Sequence, residues 1–161
     1  MTIFAIDTCS LIALYYSGYL GIINKNADIV ITKKIISELE DISAFTDDDG
    51  RAAEDVLRLL SGITIIETMP QSSGEEELIE VARQNKCDFI VSDDIRAIPK
   101  FKTVNSAIIF SSHLLYYMYR TGIISKEEGL VALEKMRIKR SWKENVIYIA
   151  GIQLFKSYEL L

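Results

Sequence analysis

Apolar residues run unbroken from Ile3 to Ile6 and stop at Asp7, after which small polar residues lead into a second apolar run, Leu11 to Leu14. The first run predicts a buried strand, and the second a helix from Ser10 to Tyr16 that breaks at Gly18 and Gly21 before a short helical piece. Asp28 to Ile31 predicts a second strand. Thr32 is placed to cap a helix through Ile42, because Ile35, Ile36, Leu39 and Ile42 recur at helical spacing; Glu38 flanks that stripe and Asp41 points away from it. The acidic stretch Thr46 to Gly50 reads as a solvated turn that supplies a cap. A helix from Arg51 to Leu60 and a strand from Ile63 to Ile66 follow. Beyond the loop from Pro70 to Gly74, Leu78, Ile79 and Ala82 mark the buried face of a helix from Glu75 to Gln84. Glu75 falls near the middle of that face, with Glu76, Glu77 and Glu80 pointing outward. Ser73 and Glu76 have capping-box spacing, but so do Ser72 and Glu75, so register leaves the two glutamates interchangeable. Phe89 to Val91 predicts a strand that runs into Ser92, Asp93 and Asp94. The remainder predicts a short strand near Thr103 and Val104, a long helix from Ser106 to Arg120, and two helices opened by Ser125 with Glu128 and Ser141 with Glu144.

Strands alternating with helices predict a parallel α/β sandwich with helices on both faces. The 161 residues, 49% of them hydrophobic, suit one domain over 1–161, with closing helices over about 106–161. Two cysteines, Cys9 and Cys87, stand far apart and in no CxxC pair, which argues against a disulfide scaffold or a zinc site and for a reducing cytoplasm. The start of the chain has no basic segment leading into a long apolar one, so no signal peptide is expected. The apolar stretch from Ala107 to Tyr119 is shorter than the ~20 residues that span a bilayer and reads as a buried helix. A formal charge of −5 gives no general basic field, so nucleic-acid contacts must rest on local clusters.

The chemistry lies in the acids. Asp7 and the Asp93/Asp94 pair end strands, where ligands of open α/β sheets bind, while Glu38 and Glu75 occupy flanking or buried helix positions. Asp7 also serves as a candidate helix cap. Carboxylates gathered without a lysine or arginine in the same motifs repel one another, which implies a bound divalent metal, and oxygen-only ligation favours Mg2+ or Mn2+. Such metals activate water and stabilise charge on a phosphodiester. Thr8, Ser10 and Ser92 are placed to orient a water or a carboxylate. The lone histidine, His113, sits in an apolar segment with no triad geometry, and neither GxxxxGK nor GxGxxG occurs.

These residues, in this order, resemble the PIN-domain nucleases. Asp7-Thr8-Cys9-Ser10-Leu11-Ile12 is similar to the Asp-Thr-Ser-Pro-Leu-Ile opening of a prokaryotic PIN subfamily related to VapC-like toxins. Further matches are Ile31-Thr32 with Ile36-Ser37-Glu38-Leu39, then Gly74-Glu75, then Val91-Ser92-Asp93-Asp94, and late in the chain Tyr119 to Ser125. The resemblance implies a three-layer α/β/α sandwich with a central parallel sheet and a metal-dependent endoribonuclease, with the toxin of a toxin–antitoxin pair as one form of it. It implies an RNA substrate, an antitoxin protein as partner, and metal ligands at Asp7, Glu38, Glu75 and Asp93 or Asp94. Cys9 and Ser10 depart from the subfamily's Ser and Pro, and Ser92 from a common Thr.

Two rivals stand beside this reading. A haloacid-dehalogenase-like phosphatase also opens on a strand and an aspartate, but needs a second aspartate where this chain has Cys9. A degenerate PIN fold used as a binding module is the other. The basic stretch from Lys135 to Lys143, with Trp142, either holds RNA or complements its own helix dipole. Lys33, Lys34, Arg83 and Arg96 lie closer to the acids in sequence. Tyr15, Tyr16 and Tyr19, with Tyr116, Tyr117 and Tyr119, exceed one small core's needs and suggest a homodimer.

Overall fold

A computed structural model describes residues 1–140 and 146–157. The chain runs β1 (Ile3–Ile6), α1 (Thr8–Ser17), α2 (Leu20–Asn26), β2 (Asp28–Thr32), α3 (Lys33–Ser43), α4 (Asp48–Leu59), β3 (Thr64–Ile66), α5 (Gly74–Arg83) and β4 (Phe89–Val91). After a 3-10 turn at Ile95–Ala97 come α6 (Ile98–Phe101), β5 (Ala107–Ile109), α7 (Ser111–Arg120), α8 (Lys126–Arg140) and α9 (Val146–Ser157). All five strands are parallel, in the order β3-β2-β1-β4-β5, and the helices flank them as an α/β/α sandwich.

The central strands explain this order. Phe4, Ala5 and Ile6 in β1 and Ile90 and Val91 in β4 are buried, so these strands need neighbours on both edges and cover on both faces. The outer strand β3 is largely exposed. Strand order reverses between β1 and β4, whose register pairs Phe4 with Phe89 and Ile6 with Val91. That pairing puts the residues just past Ile6 and Val91 side by side at the carboxyl edge of the sheet.

Local signals act where the sequence places them. Asp7 caps α1 by accepting from the Ser10 amide at 2.8 Å, and Gly18 ends that helix at φ 84°. Thr32 caps α3, Asp47 caps α4, and Ser73 caps α5. The fourth helix therefore starts at Asp48 rather than Arg51, because the acidic turn supplies its first residues as well as its cap. Ser125 and Glu128 form a reciprocal capping box at the start of α8, with bonds of 2.6 and 3.1 Å. Ser125→Ala is expected to cost about 1 kcal/mol, seen in a thermal melt as a fall of roughly 2–4 °C. The corresponding pair at Ser141 and Glu144 lies outside the described residues.

Three expectations are corrected. The strand near Thr103 and Val104 is instead β5 at Ala107–Ile109, and the helix expected from Ser106 starts at Ser111, so the closing helices begin there and not at about 106. Glu77 points inward: it is 4% exposed and accepts from the Lys34 amide at 3.1 Å and the Gln71 amide at 3.4 Å. The tyrosines are engaged within the chain. Tyr15 donates to Asp55 and Tyr16 to Asp49, Tyr117 packs edge-on against Phe4, and Tyr116 and Tyr119 lie against Phe155. These contacts give five of the six clustered tyrosines a role within the chain. Among the described residues no helix is long and apolar enough to cross a membrane.

Candidate active site

Past the carboxyl ends of β1 and β4 lies a cleft of about 280 Å³, lined by Asp7, Thr8, Glu38, Glu75 and Asp94 together with Cys9, Ser72, Ser73, Glu76 and Lys100. Each acid reaches it from a different element. Asp7 follows β1, Glu38 projects from the middle of α3, Glu75 sits in the first turn of α5, and Asp94 follows β4. A larger hollow of about 560 Å³ lies at the opposite edge of the sheet, around Ile3, Asp28 and Thr64, and contains none of these acids.

The hydroxyls expected to orient a water or a carboxylate hold carboxylates. Thr8 Oγ1 donates to Glu38 Oε2 at 2.6 Å. Ser10 and Ser92 both hydrogen-bond the Asp7 carboxylate, and each hydroxyl also accepts a backbone amide, Asp93 N at 2.9 Å and Asp94 N at 3.3 Å respectively. Ser10 and Ser92 thus tie the ends of β1 and β4 together beneath Asp7.

Asp7 is 5% exposed, and its carboxyl is pushed up to about 6, chiefly by burial. Asp93 adds repulsion, while the Ser10 and Ser92 hydrogen bonds oppose the shift. Glu75 is also raised, first by desolvation and then by the Asp94 charge, with Lys100 acting against both. Its side chain and that of Asp94 are within hydrogen-bonding reach of each other.

The two aspartates after β4 divide their roles. Asp94 lines the cleft, whereas Asp93 turns back to accept from the Ser111 amide at 2.8 Å and the Ser111 hydroxyl at 2.6 Å, fastening β4 to the start of α7. Burial raises the Asp93 carboxyl, and those two bonds work against the rise. Glu76 is engaged by Ser72, accepting from its amide at 3.2 Å and its hydroxyl at 2.8 Å, while Glu75 faces Lys100 and Asp94.

Cations absent from the motifs themselves reach the acids in the fold, Arg96 among them. Lys100 Nζ stands 3.5 Å from Glu75 Oε2, and Arg96 Nε 3.3 Å from Asp94 Oδ1. Arg140, at the end of α8, is held by Asp49 at 3.3 Å with its side chain only 18% exposed, and its charge acts on both Cys9 and Asp93. No local pattern marks Lys100 or Arg140, because only the folded chain brings them beside Glu75 and Asp49. Lys33 pairs instead with Glu67 at 2.8 Å, and Lys34 lines a separate groove with it. Of the basic stretch, residues 141–143 lie outside the described residues.

Cys9 is exposed at the cleft, but desolvation, followed by the Asp7 charge, pushes its thiol up to about 11, so it is protonated at neutral pH. His113 accepts from the Phe110 amide at 3.2 Å at the start of α7, and burial lowers its pKa. Neither has the setting of a nucleophile or a base.

Five carboxylates line the cleft, Asp7, Glu38, Glu75 and Asp94 from four different elements and Glu76 beside Glu75, and such a set of oxygen donors suits a hard divalent cation. Among the described residues no three His, Cys, Asp or Glu side chains already close on a single point as a metal-holding group. The donor set therefore fits such an ion in kind, and the acids remain spaced around the cleft.

No curated protein matches the sequence significantly. The family model described as DUF3368, a PIN domain, matches residues 3–157, which takes in every element from β1 to α9. The parallel sheet, the acids at its carboxyl edge and this match agree, and the chain belongs to the PIN-domain family.

Proposed function

We propose that the protein is a metal-dependent endoribonuclease acting in the cytoplasm, with Asp7, Glu38, Glu75 and Asp94 as the residues that hold Mg2+ or Mn2+. The observation that carries this reading is the convergence of those four carboxylates on one cleft at the carboxyl edge of the sheet. A divalent ion bound there supplies a more acidic water and stabilises charge developing on a phosphodiester. The chain's own residues set the geometry. Thr8 holds Glu38, and Ser10 and Ser92 hold Asp7. Lys100 at the cleft places positive charge where an RNA backbone would pass the acids, and Arg140, paired with Asp49, adds its field at Cys9 and Asp93. Asp93 acts as a structural tie and supports the edge on which Asp94 stands.

Hydrolysis joins a water oxygen to phosphorus and breaks the bond to the departing sugar oxygen, which takes up a proton. Single-stranded RNA fits a cleft open to solvent, and a toxin role with a protein antitoxin belongs to the same proposal. The test incubates purified protein with matched single-stranded RNA and DNA, with Mg2+, with Mn2+ and with chelator. The expected result is internal cleavage of RNA that chelator stops. Hydrolysis of a small phosphate monoester with RNA left intact would transfer the site to phosphatase chemistry. Growth arrest on expression, relieved by Asp7→Asn, is the expected sign of a toxin.

A further inference from the structure

Glu38 is held from two sides. Its Oε1 accepts from the Gly74 amide at 2.7 Å and its Oε2 from Thr8 Oγ1 at 2.6 Å, so the middle of α3 meets the first turns of α5 and α1 through one carboxylate. Gly74 is buried, and a Cβ built on it would lie 2.9 Å from Glu38 Oε2, 3.2 Å from Glu38 Oε1 and 3.0 Å from Ile35 Cγ1. The carboxylate therefore rests on the face of the glycine where any other residue carries its side chain.

Nothing in the backbone demands glycine at this position. The described glycines with positive φ are Gly18, Gly62 and Gly122, and residue 74 opens a helix, where alanine is favoured over glycine. Ile35, one turn before Glu38, is fully buried and anchors α3 in the core, so the helix cannot retreat to make room. Of the two neighbours the end of the Glu38 side chain is the freer to move, while Ile35 Cγ1, at 3.0 Å, has to give by only a few tenths of an ångström.

We propose that Gly74 is the positioning residue for Glu38: it supplies one hydrogen bond to the carboxylate and, by lacking a side chain, the space in which that carboxylate stands. What Glu38 does once positioned rests on the nuclease reading. Where it is held rests on the geometry alone.

The test compares the parent, Gly74→Ala, Glu38→Gln and the double variant by cleavage rate and manganese-induced melting shift, together with a crystal structure of metal-free Gly74→Ala. Gly74→Ala is expected to melt within a few degrees of the parent, to show Glu38 displaced from Thr8, and to lose cleavage by about 10- to 100-fold along with much of the manganese shift. The double variant is expected to be no worse than Glu38→Gln, since the glycine acts through that residue. Losses that multiply in the double variant, a Glu38 still bonded to Thr8 in the Gly74→Ala structure, or a Gly74→Ala chain that does not fold would each overturn the proposal. A parent that cleaves no RNA removes the nuclease reading instead, and the metal-free structure still decides where Glu38 is held.

Discussion

Asp7→Asn is expected to abolish RNA cleavage and, in chelator at pH 7, to raise the melting temperature. A residue that merely supports a metal ligand costs 10- to 100-fold when lost, so a charged ligand is expected to cost at least about 100-fold. The stability gain has a separate origin. Burial lifts the Asp7 carboxyl from 3.8 to about 6, so at neutral pH the folded protein carries a charge that the unfolded chain ionises more readily. A rise of about two pH units corresponds to about 3 kcal/mol lost once the folded group is ionised. Asparagine is neutral and nearly the same size, but its amide must find acceptors, so a gain of about 1–3 kcal/mol is expected.

The sign of the pH dependence follows from the same shift. With its folded pKa raised, Asp7 imposes no penalty below about 4, where both states are protonated, and the full penalty above about 6. Between pH 7 and 5 the metal-free parent should therefore recover about 1 kcal/mol from Asp7. The variant lacks this component, so the gap between the two melting curves should narrow on acidification. Mn2+ at 100 times its dissociation constant should stabilise the parent by about 2.7 kcal/mol, and the variant by much less. Asparagine retains the capping capacity of aspartate. If Asp7 served only as the cap of α1, cleavage and the manganese shift would both survive the substitution, and that outcome would falsify the proposed site.

The second large effect falls on stability. Gly50→Ala is expected to destabilise the protein by about 3 kcal/mol or more, a fall of roughly 6–12 °C in melting temperature. A Cβ at this position would stand 1.9 Å from the Phe45 carbonyl oxygen, 2.7 Å from its carbon and 3.2 Å from the Ile42 oxygen. All three are main-chain atoms, two in the turn between α3 and α4 and one at the end of α3. That turn is fixed by the Phe45 amide on the Ile42 carbonyl at 3.0 Å and by the Asp47 cap on the Gly50 amide at 2.8 Å. Relief requires one of these to break. Gly74 meets mainly the movable end of a glutamate, so the same substitution at the two glycines should separate cleanly: Gly50→Ala lowers the melt, and Gly74→Ala lowers the activity. A Gly50→Ala protein that melts with the parent would show that the turn has slack.

Where a residue's role depended on near neighbours, the sequence was readable. The strand ending at Asp7, the stripe beside Glu38 and the box at Ser125 each involve contacts within one or two helical turns, and periodicity and capping report those. The start of α7 is hidden in the sequence because β5 is only three residues long and enters the helix after one further residue. Ala107 to Tyr119 is thus one apolar run in which a short buried strand and a buried helix look alike. The helix phase set by Leu78, Ile79 and Ala82 points Glu77 outward, whereas the Lys34 and Gln71 amides that give it a buried role come from other segments. The division between Asp93 and Asp94 depends on Ser111, and Lys100 meets Glu75 only once α6 is in place. No local pattern encodes such meetings.

The strand order also bears on synthesis. A ribosome makes β1, β2 and β3 in turn, and these can pair as a half-sheet while β1 still presents one unpaired edge to solvent. That edge is closed only when Phe89 to Val91 emerges, and the same event brings Ser92 and Asp94 up to Asp7. At about 5–20 residues per second the nascent chain spends seconds with a sticky, open edge and no complete set of acids. A chain released early, before β4, is thus expected to be prone to aggregate and to lack the cleft, since the paired edge and the cleft both form only as the sheet closes.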